Sequence, residues 1–438
     1  MKKTYKALLC GAAAVAAVGI AYAMDERFFE KAKDKLTVFK CRANSKIMEQ
    51  ALPLTDAMFP GPKVVSGADS AKKIPEVLKE LNVNKVMIVT GPTVGRTIVP
   101  PIAENLERHG IGYTIYDQVE ANPSVKTVEA IRAQYLENGC DGFLAIGGGS
   151  PMDAAKAAAA RVAKPNTPIG KMAGLMKVMI KVAPIVAVPT TSGTGSEVTM
   201  GAVISDHDER HKYAIMDPNL VPKYAVLDPK LTVSMPKFVT ATTGIDALTH
   251  AVESYVTWAY NNNASNRNAE EAVVKIFRNL KRAYEDGNDL EARERVAYGS
   301  TIAGMTMQLT STTAQHSMEH AMSAYHQNLP HGAGLIMISK AYYAHFIERH
   351  VCDERFVAMA RALGVEDARE PMDFIRALEA LQRACGVADL RMSDYGISPD
   401  EFPAMVRNAR ETMGFLFPFD REPLSDEECE AIYRASYR

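Results

Sequence analysis

The hydrophobic pattern of the chain changes once, near Pro236, and this change constrains the fold more than any other feature. Before it, short apolar runs such as Lys85–Thr90 and Gly142–Ile146 alternate with stretches of helical spacing. After it, helical spacing continues to the end and no alternating strand pattern returns. Strands that alternate with helices predict a parallel, doubly wound sheet. We therefore expect an α/β domain followed by an all-α domain.

The expected elements follow from hydrophobic period and turn residues. Strands are predicted at Lys85–Thr90, Gly112–Tyr116, Gly142–Ile146 and Pro184–Val188, and helices between them at Val99–His109, Ser124–Asn138 and Asp153–Arg161. The second part is predicted to contain helices at Ala241–Tyr255, Ala264–Tyr284, Leu290–Leu309, Ser317–Tyr325, Gly334–Arg349, Val351–Leu363, Asp373–Cys385 and Ser425–Ser436. The predicted domains are residues 25–236 and 237–438, since a chain of 438 residues favours two domains.

The first residues have the character of a targeting segment. Met1–Lys6 is positively charged, Ala7–Ala23 is uncharged and apolar, and its end resembles a small-residue cleavage site. Residues 1–24 are thus predicted to be a signal peptide or a short membrane anchor. The alternative is an Ala-rich helix that only resembles a signal, or an upstream start codon that is not used. Residues 25–60 are expected to be an extension with a helix around Glu26–Lys35.

Composition and cysteine spacing exclude some functions. The formal net charge is −2, so no basic excess points to nucleic acid. The six cysteines are scattered without a CxxC pair. They therefore predict buried or incidental thiols, not a disulfide framework or a zinc ribbon.

Two loops that follow strands have the composition of phosphate-binding loops. Gly147-Gly-Gly-Ser150 follows a strand and opens a helix, whose first N–H groups attract anions. The second loop, Pro189–Thr199, is rich in glycines and hydroxyls suited to a nucleotide. Each has an ordinary alternative, because glycine-rich turns are common and Ser or Thr before Glu is usual capping chemistry.

Asp246, His250, His316 and His331 are candidate metal ligands. The i, i+4 spacing places Asp246 and His250 on one helix face. One carboxylate and three imidazoles suit Fe(II) or Zn(II), which would act as a Lewis acid. The alternative is a surface pair on a helix together with unrelated histidines.

Four motifs in this order resemble the iron-containing (group III) alcohol dehydrogenases, over nearly all of the chain from about residue 60. They are GGGSPMDAAK at 147–156, PTTSGTGSEVT at 189–199, GIDALTHAVE at 244–253, and HSMEH with PHG at 316–332. The resemblance implies a dehydroquinate-synthase-like fold with the cofactor cleft between the two domains. It also implies a homo-oligomer that transfers hydride between NAD(P)(H) and a small alcohol or aldehyde.

The resemblance also implies roles for individual residues. The metal ligands would be the four residues given above. The pyrophosphate would contact Gly148, Gly149, Ser150 and Asp153, and the rest of the nucleotide would contact Asn122, Thr190, Thr191 and Thr194. Lys212 would lie near the nicotinamide ribose, and its alternative is a solvated lysine at a strand end. His320 would be the catalytic proton relay near the nicotinamide, and its alternative is a histidine packed beside the ligands.

The chain departs from the family pattern at two places. Many members carry Asp where this chain has Gly91, and that Asp would repel a 2′-phosphate. We therefore expect NADP(H) to be accepted and preferred over NAD(H). The gap from His320 to His331 is one residue longer than usual, and His326 lies within it.

The predicted function is a metal-dependent, NADP(H)-linked alcohol dehydrogenase or aldehyde reductase. The alternatives are a polyol dehydrogenase of the glycerol type, a non-redox cyclase like dehydroquinate synthase, and a non-catalytic, membrane-tethered nucleotide-binding protein. Because NADPH is a cytoplasmic cofactor, we expect the catalytic part to face the cytoplasm, soluble or anchored by residues 7–23, and not to be exported.

Overall fold

The structure, a computed structural model, describes residues 61–438. The predicted targeting segment at 1–24 and the helix around Glu26–Lys35 lie outside the described residues. Within 61–438, no helix has the length and apolar character needed to cross a membrane.

The first part of the described chain is built on a parallel sheet of six strands in the order β1-β9-β6-β4-β2-β3. These strands are β1 (Lys63–Ser66), β2 (Lys85–Val89), β3 (Gly112–Tyr116), β4 (Gly142–Gly147), β6 (Ile185–Pro189) and β9 (Tyr224–Leu227). The helices of this part are α1 (Ile74–Glu80), α2 (Pro92–Thr97), α3 (Val99–Arg108), α4 (Val125–Glu137), α5 (Gly149–Ala163) and α6 (Ile169–Met172). The predicted α/β class is confirmed.

Helices cover both faces of this sheet because its central strands are apolar at nearly every position. In β2, Met87 and Val89 pack in the core that contains α4 and α5. The alternate residues Val86 and Ile88 pack on the other face with α1 and α3. Burial on both faces is the expected state of a parallel sheet.

The order of the strands places a crevice at one edge of the sheet. After β2 the chain moves outward to β3 and then returns to the other side of β2, where β4 pairs with it in parallel. Ligands of doubly wound sheets bind at such a switch point, outside the carboxyl ends of the strands. Gly91 follows β2 and Gly148 follows β4, so both predicted cofactor residues lie at this edge.

A second, small sheet was not predicted from the sequence. It contains β5 (Gly174–Leu175), β7 (Gly201–Asp206) and β8 (His211–Met216) in the order β5-β8-β7. β7 and β8 are antiparallel, with Ser205 opposite Lys212. This hairpin carries Lys212 toward the helical part.

The second part is entirely helical from Lys237 onward, and the predicted all-α class is confirmed. Its helices are α7 (Lys237–Val256), α8 (Asn263–Glu285), α9 (Leu290–Leu309), α10 (Ala314–Tyr325), α11 (His331–Glu348), α12 (Asp353–Ala362), α13 (Met372–Ala384), α14 (Phe402–Met413) and α15 (Asp426–Ser436). All helices expected here are present, and α14 is an addition. One hydrophobic core joins them, with α7 and α10 inside it.

Candidate metal and cofactor site

Three helices bring the predicted metal ligands together. Asp246 and His250 lie one turn apart on α7, His316 lies in the first turn of α10, and His331 is the first residue of α11. The Oδ1 atom of Asp246 is 3.7 Å from His250 Nε2, 3.8 Å from His316 Nε2 and 3.6 Å from His331 Nε2. One carboxylate oxygen therefore faces three imidazole nitrogens at nearly equal distances.

The start of α11 explains how His331 reaches this point. Pro330 is the N-cap residue in an extended conformation, which suits the residue that precedes a helix. Gly332 follows, and a Cβ atom there would lie 2.2 Å from the carbonyl oxygen of Thr242 on α7. Only glycine allows α11 to begin this close to the helix that carries Asp246.

The donor atoms fit a divalent metal and do not satisfy each other. Separations of 3.6 to 3.8 Å are too long for hydrogen bonds. They are close to the spacing of about 3.4 Å between tetrahedral ligands with metal bonds of about 2.1 Å. Asp246 Oδ1 and His316 Nε2 are buried without a hydrogen-bond partner among residues 61–438. Such buried polar atoms are costly unless a further group pairs with them.

The electrostatics of the site favour a cation. Burial opposes ionisation of Asp246, but the surrounding histidines outweigh it and lower the pKa of this carboxyl to about 2. Burial would lower the pKa of His316, yet Glu253 and Asp246 raise this pKa to about 10. For His250, burial dominates and lowers the pKa to about 4. The carboxylates thus make the space between the imidazoles a place where positive charge is stabilised.

Two further carboxylates pair with the histidines His316 and His331 on the side of each ring away from Asp246. His316 Nδ1 pairs with Glu253 Oε2, and His331 Nδ1 pairs with Glu319 Oε2. The other oxygen of Glu253 accepts from Thr313 Oγ1 at 2.7 Å. With Nδ1 engaged in this way, Nε2 of each ring is directed inward, where a metal would take the place of a proton. Neither glutamate was predicted from the sequence, although each stands three residues after a candidate ligand.

His320 lies one turn after His316 on α10 and is 9% exposed. Its ring centroid is 5.1 Å from that of His331, and its Nδ1 has no hydrogen-bond partner in the described part of the chain. Burial, with a contribution from the positive charge of Lys212, holds the pKa of His320 well below its usual value. The imidazole is therefore neutral near pH 7, and it lies beside the ligands without being one of the atoms around Asp246.

The two glycine-containing loops pack against each other at the switch point. A Cβ on Gly148 would lie 3.0 Å from Thr191 Oγ1, and a Cβ on Gly149 would lie 2.7 Å from Thr194 Cγ2. Thr190, which is buried, donates its backbone N–H to the carbonyl of Gly147 at 2.8 Å. The loops can approach only because glycine stands at the start of α5.

The amino end of α5 is open to a ligand. Its N-cap residue is Gly148, which has no side chain, so no cap satisfies the first N–H groups. The half-exposed Ser150 lies in this first turn. Unsatisfied N–H groups and the helix dipole together attract a phosphate.

Asp153 and Lys156 join α5 to the second loop. Asp153 accepts from Ser196 Oγ at 2.8 Å and from the backbone N–H of Val203 at 3.0 Å. The fully buried ammonium of Lys156 donates to the carbonyls of Ser196 at 2.7 Å and Thr199 at 2.8 Å. The structure therefore places Asp153 in the support of the loops, where both of its oxygens already have protein donors.

The second loop also touches the metal site. A Cβ on Gly193 would lie 2.9 Å from Thr243 Cβ and 3.2 Å from Oδ2 of Asp246. The backbone of the Pro189–Thr199 loop is thus in contact with the helix turn that carries the candidate metal ligand Asp246.

Lys212 is buried, so the alternative of a solvated lysine is wrong. Its ammonium donates to Asn122 Oδ1 at 2.9 Å and to Ser323 Oγ at 2.7 Å. Asn122 adopts a left-handed conformation, with φ of 54°, in the loop after β3. Ser323, which stands one turn after Glu319 on α10, was not predicted from the sequence.

Gly91 and His326 lie outside the group of side chains around Asp246. Gly91 is the N-cap residue of α2, and a Cβ there would lie 3.1 Å from the carbonyl oxygen of Val119. His326, in the longer gap before α11, pairs its Nε2 with Glu401 Oε2 at 3.0 Å. This histidine is therefore engaged elsewhere and does not join the atoms around Asp246.

The sequence is similar to known oxidoreductases along most of its length. Residues 61–229 match the family profile described as iron-containing alcohol dehydrogenase, and residues 240–437 match the C-terminal profile of the Fe-containing alcohol dehydrogenase family. A choline dehydrogenase of Bacillus subtilis is 31% identical over 387 residues, covering 86% of this chain and 94% of the relative. A lactaldehyde reductase of Escherichia coli K12 is 30% identical over 358 residues, covering 78% and 90%.

Solved structures share the fold. A 1,3-propanediol oxidoreductase superposes with a TM-score of 0.81 at 28% identity, covering 86% of this chain and 99% of that one. The NADH-dependent butanol dehydrogenase A of Thermotoga maritima superposes with a TM-score of 0.77 at 25% identity, covering 86% and 97%.

Proposed function

The chain belongs to the iron-containing alcohol dehydrogenase family, and we propose which of its residues carry out the NAD(P)-dependent alcohol dehydrogenase reaction of that family. The two matched profiles together span nearly all of residues 61–437, so the enzyme class applies to the whole described chain.

Asp246, His250, His316 and His331 are proposed as the ligands of one divalent metal, Fe(II) in preference to Zn(II). The observation that carries this proposal is the position of Asp246 Oδ1, 3.6 to 3.8 Å from three Nε2 atoms. When bound, the metal supplies Lewis acidity, which lowers the pKa of an alcohol and polarises an aldehyde carbonyl. The preference for Fe(II) rests on the family, because the donor set suits both metals.

The protein supplies binding and proton transfer around that centre. The open amino end of α5 would hold the pyrophosphate, with Gly148, Gly149 and Ser150 at the contact and with Thr191 and Thr194 beside it. Asp153, Thr190 and Asn122 would support these loops.

Two polar side chains from different parts of the chain would act nearest to the reacting atoms. The ring of His320 lies beside that of His331, and its Nδ1 has no hydrogen-bond partner within residues 61–438, so this ring would accept the proton of an alcohol and return it during aldehyde reduction. The ammonium of Lys212 would contact the nicotinamide ribose from β8.

NADP(H) is proposed as the preferred cofactor because of Gly91. This residue follows β2 at the switch point, where a carboxylate would repel a 2′-phosphate. This cofactor preference does not extend to every protein of similar fold, since the butanol dehydrogenase A is described as NADH-dependent.

Small alcohols and their aldehydes are proposed as substrates. Similar proteins are described as acting on lactaldehyde and 1,3-propanediol, which are both short oxygenated molecules. A diol or polyol therefore remains the second candidate substrate class within the same chemistry.

The test is oxidation of NADPH and of NADH by the full chain in the presence of short aliphatic aldehydes. The protein is purified without oxygen and assayed with Fe(II), with Zn(II) and after chelation. We expect metal-dependent turnover that is faster with NADPH than with NADH. Turnover that survives complete metal removal would overturn the metal proposal, and equal use of the two cofactors would overturn the Gly91 proposal alone.

A further inference from the structure

Glu319 is a buried carboxylate that the reaction described above does not use. It lies on α10 between the ligand His316 and the relay His320, and its side chain is fully buried. Its Oε2 pairs with Nδ1 of His331 on the next helix. Its Oε1 has no hydrogen-bond partner within residues 61–438. A charge in this position is costly unless it serves a nearby cation.

The absence of a side chain at Gly334 leaves room for the carboxylate of Glu319. A Cβ on Gly334 of α11 would lie 2.7 Å from Glu319 Cγ and 2.9 Å from Oε1. A larger residue at 334 would push the carboxylate away from the ring of His331. Glycine therefore lets Glu319 and His331 meet at the crossing of the two helices.

Three carboxylates and one ammonium are buried in and around the candidate metal site. Asp246, Glu253 and Glu319 supply three buried carboxylates. Lys212, whose ammonium interacts electrostatically with Glu319, supplies one positive charge. Carboxylates therefore outnumber ammonium groups beside Glu319, which favours a cation there.

We propose that Glu319 is a positioning residue for the metal, because it holds the ring of His331 with Nε2 toward Asp246 and adds negative charge behind that ligand. The inference rests on the proposed role of His331 as a ligand. Carboxylates that accept from a metal-bound histidine fix its tautomer and raise its basicity, and their removal weakens metal binding about 10- to 100-fold.

A purely structural role gives a different expectation. If the Glu319–His331 pair only joins α10 to α11, its loss lowers the thermal stability of the metal-free protein. The affinity of the folded protein for a metal would then stay the same. Metal affinity, measured on folded apoprotein, separates the two roles without any assay of activity.

The experiment compares the full-length wild-type protein with Glu319→Gln and with Glu401→Gln. Each apoprotein is titrated with Zn(II) in competition with a chromogenic chelator. Glu401→Gln is the matched control, because Glu401 forms a similar pair with His326 outside the site. We expect Zn(II) affinity to fall about 10- to 100-fold in Glu319→Gln and to change less than about twofold in Glu401→Gln. Wild-type affinity in folded Glu319→Gln would overturn the proposal.

A second variant covers the case in which Glu319→Gln does not fold. Glu319→Asp keeps the charge but withdraws the carboxylate by one methylene from His331. We expect reduced Zn(II) affinity and an altered absorption spectrum of the Co(II)-loaded protein. Wild-type affinity together with a wild-type spectrum would overturn the proposal. If the wild-type protein itself binds neither metal, the assignment of the four ligands fails, which is a distinct result.

Discussion

Lys212 Nζ lies 2.7 Å from Ser323 Oγ, and this hydrogen bond joins β8 in the first part of the chain to α10 in the second. The same ammonium donates to Asn122 after β3. Helix α10 also carries His316 and His320. One side chain therefore sets the position of the helix with the candidate metal and proton-transfer residues relative to the sheet edge where the cofactor is expected.

Replacement of Ser323 by alanine is expected to weaken cofactor binding. The variant removes one of the two acceptors of Lys212, and hydrogen bonds to charged groups contribute about 1.5 to 3 kcal/mol. We expect KM for the nicotinamide cofactor to rise about tenfold, with a smaller change in kcat and an unchanged metal content. Steady-state kinetics with varied NADPH measure this. Ser339→Ala, in a buried serine of α11 outside the site, is the control, and equal KM values in both variants would contradict the prediction.

Replacement of Asp246 by asparagine is expected to remove the metal. Asparagine keeps the shape but loses the charge of the oxygen that faces three imidazoles. Because loss of an outer carboxylate already costs about 10- to 100-fold in affinity, we expect loss of this ligand to cost at least about 100-fold, with turnover falling in parallel. Elemental analysis of purified protein gives the metal content. Asp206→Asn, at the last residue of β7, should retain both metal and activity. Wild-type metal content and wild-type turnover in Asp246→Asn would contradict the assignment of Asp246 as a metal ligand.

Introduction of a carboxylate at position 91 is expected to reverse the cofactor preference. Any side chain there meets the carbonyl of Val119 at 3.1 Å, so Gly91→Ala serves as the control for steric effects. We expect Gly91→Asp to lower kcat/KM for NADPH relative to NADH by about tenfold beyond the change in Gly91→Ala, because the charge repels a 2′-phosphate. An identical ratio of the two cofactors in both variants would show that the residue does not select between them.

Asp420 is expected to make stability fall as pH rises. Its Oδ2 accepts from the backbone N–H of Ala314 at 3.1 Å, and its Oδ1 pairs with Tyr342. Burial, reinforced by the charge of Glu253, raises the pKa of Asp420 to about 8, while hydrogen bonds from Tyr342 and the charge of Arg410 oppose this rise. An unfolded Asp has a pKa of about 3.9, so between about pH 4 and pH 8 the folded protein binds more protons. Its stability therefore decreases across this window.

Asp420→Asn, which resembles the protonated side chain, tests this expectation. Thermal unfolding of both proteins is followed from pH 5 to pH 8 after chelation, so that metal binding does not contribute. The midpoint temperature of unfolding should fall more steeply with rising pH in the wild-type protein than in the variant. Parallel curves would mean that Asp420 does not carry this dependence.

The sequence predicted the parts of the site that depend on local spacing. Asp246 and His250 could be placed on one helix face because they stand four residues apart, and the strand before Gly148 was clear from its apolar run. Glu253 and Glu319 were not identified, since their pairing with histidines depends on how α7, α10 and α11 cross. The β7–β8 hairpin was also missed, because its packing against α5 is a tertiary effect. Whether the predicted ligands bind a metal stays a prediction.

Gly193 of the Pro189–Thr199 loop lies against Thr243 and Asp246, so this loop and helix α7 are in direct contact. A cofactor that orders this loop would also restrain the carboxylate beneath it, and a metal that fixes the carboxylate would restrain the loop. Coupling between two binding equilibria is reciprocal by thermodynamic necessity. Ordering of this shared contact by either one would therefore favour binding of the other, by the same factor in both directions.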